Sequence, residues 1–269
     1  MTAADLVNRF VLARSAYRRR DAAAAEAAHA HHYLERSLYE TGRRGQHLAD
    51  AVLGATDGVV TTFAVVAGAA GANLSSGVVL IMGFANLLAD GLSMAIGNYL
   101  GARSQRDFWR EEREREIWEI EQIPEAEREE IRRHYRRKGF DGEWLEHAVS
   151  LITSDKERWL EEMMREELGI REEKSAPAVS GVVTFSAFSL AGFLPLISYL
   201  VAFIRPDFLP RAFSSSVALT VAALFVVGAA RWFITRRTWW RSGFEILALG
   251  GAAALCAFAV GHFLQALVG

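Results

Sequence analysis

The sequence predicts an all-α membrane protein: five transmembrane helices, with a charged helical domain inserted between spans two and three. Three observations carry that expectation. No Lys or Arg occurs between Arg44 and Arg103, and those 58 positions hold only three acids, Asp50, Asp57 and Asp90. Residues 175–269 hold only Asp207 and Glu245 as acids. Residues 101–174, between them, hold 22 of the 32 acids and 16 of the 30 bases. Whole-chain averages hide this division. A net charge of −2 with 51% hydrophobic residues and a mean hydropathy of +0.12 would suit an ordinary soluble protein.

The apolar stretches divide at short polar breaks into Ala51–Ala72, Ser76–Leu100, Ala178–Ile204, Phe213–Ala230 and Phe244–Val268. Each is near the roughly 20 helical residues that cross a ~30 Å hydrocarbon core. Five helices apolar all round would lack amphipathic partners in a soluble protein. Arginines concentrate in the N-terminal segment (Arg9 to Arg44) and in the link Arg231, Arg236, Arg237 and Arg241. By the positive-inside rule the N-terminus, the charged block and that link are cytoplasmic. Trp232, Trp239 and Trp240 fall at the expected interface. Leu6–Ala13 is too short and too polar for a cleavable signal peptide. The expected organisation is a cytoplasmic helical segment 1–48, spans one and two in 49–102, a helical domain 103–174, and spans three to five in 175–269.

Within the charged block, span two is expected to run on through Trp109 and Ile117. Pro124 suits the first turn of the next helix, Glu125–Lys138, which Gly139 ends. Glu143–Ile152 follows. Ser154 and Glu157 form a capping-box pattern that opens a last helix, ended by Gly169.

Candidate functional residues come from spacing. Glu116 and Glu119 are three apart, as are Glu127 and Glu130, so each pair can present two carboxylates on one helical face. Met163 and Glu167 share a face, with Met164 beside them. Oxygen with thioether ligands suits Fe(II) better than Mg(II) or Ca(II). Spacing alone is more simply read as a solvated surface laced with ion pairs, with Met as core filler. Cys256 is the one cysteine, so an intrachain disulfide and thiolate-cluster metal sites are excluded. Charge balance argues against nucleic acid as a partner.

In the spans, Asp57 and Asp90 are intramembrane acids, with Met94 one turn beyond Asp90. An intramembrane carboxylate normally faces a cavity or a partner and marks an ion or proton path. The first two spans offer no Lys or Arg, which favours a cation partner. A protonated or helix-bonding Asp is the plainer alternative. Glu245 is expected in an interfacial ion pair with Arg241, one turn before it.

Asp50-Ala51-Val52-Leu53-Gly54-Ala55-Thr56-Asp57-Gly58 resembles the first-span signature of the vacuolar iron transporter family, and Ala89–Leu100 its second-span signature. Pro124–Glu130 and Met163–Gly169 resemble its cytoplasmic metal-binding domain. The resemblance covers roughly residues 45–269. It implies a homodimer in the lipid bilayer, five spans per subunit, and proton-coupled export of Fe(II) from the cytosol. Mn(II), Co(II), Ni(II) and Zn(II) are further possible substrates, with no tightly bound cofactor. It also implies that Asp57 and Met94 are intramembrane transport ligands, with Asp90 on the path. Glu116, Glu119, Glu127, Glu130, Met163, Met164 and Glu167 correspond to the cytoplasmic ligand set. Thr56 and Asn98 depart from the pattern, which usually has Asn and often an acid there. The expectation is a secondary transporter, a metal/proton antiporter and not an enzyme, in a bacterial plasma membrane by its alanine- and arginine-rich composition. The alternatives are a membrane metal sensor or store without transport, and a membrane ferroxidase. Glu26, His29, His32 and Glu35 are spaced three apart on one helix; Glu26-x-x-His29 resembles half of a di-iron motif, which needs a second copy, and an amphipathic cytoplasmic helix is the plainer reading.

Overall fold

The chain is all-helical among its described residues, with long helices at both ends and three short ones between. The structure is a computed structural model. It describes residues 16, 19–24, 34–166, 168–169, 176–231 and 238–268. In order, α1 is Leu34–Gly71, α2 Ser76–Gln122, α3 Pro124–Arg137, α4 Gly142–Thr153 and α5 Lys156–Glu166. Then come α6 Pro177–Gly192, α7 Leu194–Ile204, a 3-10 turn Pro206–Phe208, α8 Leu209–Ala230 and α9 Trp239–Val268. Among the described residues four helices are long and apolar enough to cross a membrane, and α6 with α7 makes a fifth candidate. Span three, expected as one helix over 178–204, is instead bent by 47° at Phe193. Pro195 sits in the first turn of α7, where its missing N–H costs least. α2 is continuous over 47 residues, as expected. At 1.5 Å per residue it is roughly 70 Å long, about twice a hydrocarbon core.

The chain divides into two compact units, residues 1–84 with 187–269, and residues 85–186. In the first, α1 packs on α9, α8 and α7, and α8 packs on α9 and α7. In lipid such packing relies on close van der Waals contact rather than on expulsion of water. Small residues supply the closeness. A Cβ on Gly261 would stand 2.1 Å from the Gly68 carbonyl oxygen, and one on Gly58 2.3 Å from that of Phe188. Some buried polar groups find partners within the bundle. Ser216 Oγ, fully buried, donates to the Pro195 carbonyl at 2.7 Å. Asn73, at φ +52°, takes the left-handed position that ends α1. Its amide donates to Gln265 Oε1 at 3.2 Å. Glu245 pairs with Arg231 at 3.7 Å rather than with the expected Arg241. The Arg241 guanidinium lies over the Trp240 ring instead.

In the second unit, α2 meets the start of α6. A Cβ on Gly181 would stand 2.9 Å from the Ala95 carbonyl oxygen. Asn98 Nδ2 donates to Thr184 Oγ1 at 2.7 Å. The same unit holds α3, α4 and α5, which pack on one another around Ile120, Ile131, Leu145, Val149, Ile152, Trp159, Leu160, Met163 and Met164. Helix ends explain the turns. Gly139, at φ +95°, closes α3 in a Schellman motif: Phe140 N donates to Tyr135 O and Gly139 N to Arg136 O. The accompanying apolar contact is the Tyr135–Phe140 ring pair, 5.4 Å between centroids. The expected Ser154 cap moves by one residue. Ser154 Oγ donates back to Leu151 O, and Asp155 Oδ1 accepts from Arg158 N at 2.8 Å.

Gly58→Ala should lower the stability of the purified protein in micelles by about 1–3 kcal/mol, since backbone on both sides must yield. Gly251, where an added Cβ meets nothing within 4 Å, should tolerate Ala without loss. Heat-unfolding midpoints of the two variants read the contrast.

Candidate metal centre

The buried faces of α2, α3 and α5 converge on one apolar cluster, and carboxylates sit one turn from its members. Glu116 precedes Ile120 by four residues on α2, and Glu127 precedes Ile131 by four on α3, so each shares a face with a core residue. Accordingly Glu116 is fully buried and Glu127 is 4% exposed. Met163 and Met164 enter the same cluster from α5, at 1% and 5% exposure. Four of the seven expected cytoplasmic ligands are thus buried in one unit. Glu119 and Glu130 are partly exposed, at 22% and 28%. Glu167 lies outside the described residues, as do Glu26, His29 and His32.

A carboxylate withdrawn from water needs a cation or strong donors. Arginines supply much of this. Arg115 donates to Glu112 at 3.0 Å and to Glu119 at 2.6 Å, and forms an ion pair with Glu116 at 2.8 Å. Arg133 donates to Glu130 at 3.0 Å. Glu116, Glu119 and Glu130 are thus each paired with a guanidinium. Among the described residues no three His, Cys, Asp or Glu side chains gather as a metal-binding group. The donor set, carboxylate oxygen with thioether sulfur, fits a borderline divalent ion.

Ion pairs fasten the helices around this centre. Arg113 of α2 reaches Glu157 of α5 at 2.7 Å, and Lys156 of α5 reaches Glu121 of α2. Arg132 of α3 holds Glu146 of α4 through two bonds of 2.7 and 2.8 Å. Lys138 of α3 reaches Glu166 of α5 at 2.8 Å.

Sequence reading overlooked several groups here. Glu162 is 7% exposed, accepts from the Tyr135 hydroxyl at 2.9 Å and pairs with Lys138 at 3.4 Å. Burial first, then Glu162, pushes the Tyr135 phenol up to about 12. His134 is buried beside Arg137, whose Nη2 donates to Nδ1 at 2.9 Å. Burial, then the Arg137 charge, holds the imidazole below its usual range. The signal was its spacing, since His134 follows Glu130 by four and Glu127 by seven on one helical face.

Of the intramembrane candidates, Asp57 falls in the first unit and Asp90 and Met94 in the second. Asp57 is half-buried on α1, immediately before the Gly58–Phe188 approach. Its carbonyl accepts from Thr61 Oγ1 at 2.8 Å. Thr56 Oγ1 donates to Val52 O at 2.7 Å. Asp90 and Met94 are half-buried on α2, one turn apart on one face.

A bundle of membrane-length helices with intramembrane acids, carrying a small helical unit with buried carboxylates and thioethers, defines a multi-pass membrane protein. Sequence comparison gives the family. The chain belongs to the VIT family, whose sequence model matches residues 48–262. Similar proteins include a "Vacuolar iron transporter" of Toxoplasma gondii, 35% identical over 269 residues, covering 96% of this chain and 89% of that protein. "Vacuolar iron transporter 1" of Arabidopsis thaliana is 33% identical over 225 residues, covering 82% and 87%. A "Vacuolar iron transporter" of Plasmodium berghei is 34% identical over 223 residues, covering 80% and 82%.

The pH dependence of this unit follows from His134, Glu146 and Glu166. All three have lowered folded-state values. Burial, then Arg137, lowers His134. Arg132 lowers Glu146, and Lys138 lowers Glu166. Each therefore contributes stability that is present above its unfolded value and lost as pH falls through its folded value. The His134 part goes as pH falls below about 6.5, the carboxylate parts below about 4.3. Protection of the amides over residues 124–166, relative to intrinsic exchange at each pH, should fall between pH 7 and 5.5, and His134→Gln should flatten that dependence.

Proposed function

We propose that the chain moves Fe(II) across the membrane, out of the cytosol and in exchange for protons. The observation that carries this reading is the fully buried Glu116, together with buried Glu127, Met163 and Met164 in one small helical unit. An apolar core gains nothing from carboxylates. A cation-collecting site gains both charge and, through the thioethers, a preference for softer divalent ions. The family match and the relatives' names add iron as the substrate class. Mn(II) and other first-row ions fit the same ligands.

In this reading the inserted helices lie on the cytosolic face, where the arginine-rich segments are. Glu116, Glu119, Glu127, Glu130, Met163, Met164 and Glu167 gather the ion, and the gathered ion enters the spans at Asp57 and Met94. Protons compete for the same carboxylates, so loading with metal releases protons and protonation releases metal. Asp90 lines the same face as Met94 and serves the proton path. Two copies form the working unit. The chain's role is transport rather than catalysis.

Proteoliposomes loaded with a pH dye test this. Wild type should take up Fe(II) anaerobically with an opposing pH change. Asp57→Ala should abolish both while leaving binding intact, and Glu116→Ala should weaken binding by at least about tenfold. Saturable binding without flux would identify a sensor or store instead.

A further inference from the structure

Arg115 occupies an unusual position in the proposed centre. Its one guanidinium meets three carboxylates of the same helix: Glu112 at 3.0 Å, Glu116 at 2.8 Å and Glu119 at 2.6 Å. Two of these, Glu116 and Glu119, are ligands in the proposed function. Glu112 is not. We propose that Arg115 is a resident counter-cation that holds the metal's place on Glu116 and Glu119, and that Glu112 is where it withdraws when a divalent ion binds. The proposal rests on the reading of Glu116 and Glu119 as ligands.

Charge and geometry both point this way. The three carboxylates carry three negative charges, and Arg115 supplies one positive charge. A divalent ion supplies the other two. With the ion on Glu116 and Glu119 and the guanidinium on Glu112, every charge in this group is matched. A monovalent ion would leave a deficit. The withdrawal needs no backbone movement. Arg115 already donates through Nε to Glu112 and through Nη1 to Glu119, so releasing Glu119 and the Glu116 ion pair leaves the Glu112 bond in place. Arg115 is 40% exposed, which gives the long side chain room to swing. Without metal, the guanidinium shields the fully buried Glu116 carboxylate. The cost of displacing it sets a threshold below which metal does not load. Glu130 shows the same device in simpler form, with Arg133 on its exposed carboxylate.

The test is anaerobic Fe(II) titration of the full-length protein in micelles, at fixed pH and ionic strength. Removing the competing charge in Arg115→Gln should tighten the apparent Kd about tenfold, and Arg115→Lys should stay near wild type. Glu112→Gln should weaken binding several-fold, although Glu112 is no ligand, because Arg115 loses its place of withdrawal. In the Arg115→Gln background, Glu112→Gln should then have no effect. Weaker binding in Arg115→Gln would overturn the proposal, as would an equal Glu112→Gln effect in both backgrounds. The underlying reading is judged separately by Glu116→Ala. If that variant binds as wild type does, the ligand assignment itself fails. If it loses binding while Arg115→Gln changes nothing, only the displacement proposal fails.

Discussion

A carboxylate out of water must be matched by positive charge, and much of this molecule follows from that constraint. Glu116 has no exposed surface, yet it stands one turn from Ile120 in the apolar cluster. A fold selected for stability alone would place a hydrophobe there, because buried ion pairs seldom repay their desolvation. The surroundings are arranged to make burial tolerable. Arg115 lies against the carboxylate, α2 and α5 are tied by Arg113–Glu157 and Lys156–Glu121, and α3 and α5 are tied through Lys138. The thioethers of Met163 and Met164 complete the lining with soft, adaptable surface.

The bilayer imposes the complementary constraint that every backbone polar group be satisfied within the protein. Continuous helices achieve this for α1, α2, α8 and α9. At the break between α6 and α7, Phe193 N still donates to Ser189 O and Leu196 N to Phe193 O, and the Ser216 hydroxyl adds a bond to the Pro195 carbonyl. Glycines at Gly58, Gly68 and Gly261 let backbone meet backbone, which is how helices associate where no water is left to expel.

The distribution of charge made most of the architecture readable. Five apolar stretches, the continuous α2, the Pro124 start and the Gly139 stop all carry local signals, since hydropathy, proline and glycine act over a few residues. The Asp155 cap was missed by one position because Ser154 and Asp155 are both competent caps, and only the backbone path decides between them. The break at Phe193 was missed because proline in a membrane helix is often tolerated without a bend of this size. The Glu116 and Glu127 pairs were legible as helical faces, but their burial depends on which faces meet. Arg115 and Glu162 escaped notice because, in a block with 22 acids and 16 bases, spacing cannot say which ion pairs are buried. His134 escaped because its neighbour on the helical face is Glu130, four residues away, and only the packing shows that this face is buried.

The bend in span three also bears on the thickness of membrane the protein can inhabit. α6 and α7 together would reach about 40 Å if straight, well beyond a ~30 Å hydrocarbon core. Turning α7 by 47° shortens that reach to about 35 Å when α6 stands along the normal. The remaining excess is small enough for a modest tilt or a slight local thickening of the lipid to absorb. A bend beside a proline thus sets a length match, and the corner helps decide which bilayers accept this span without strain.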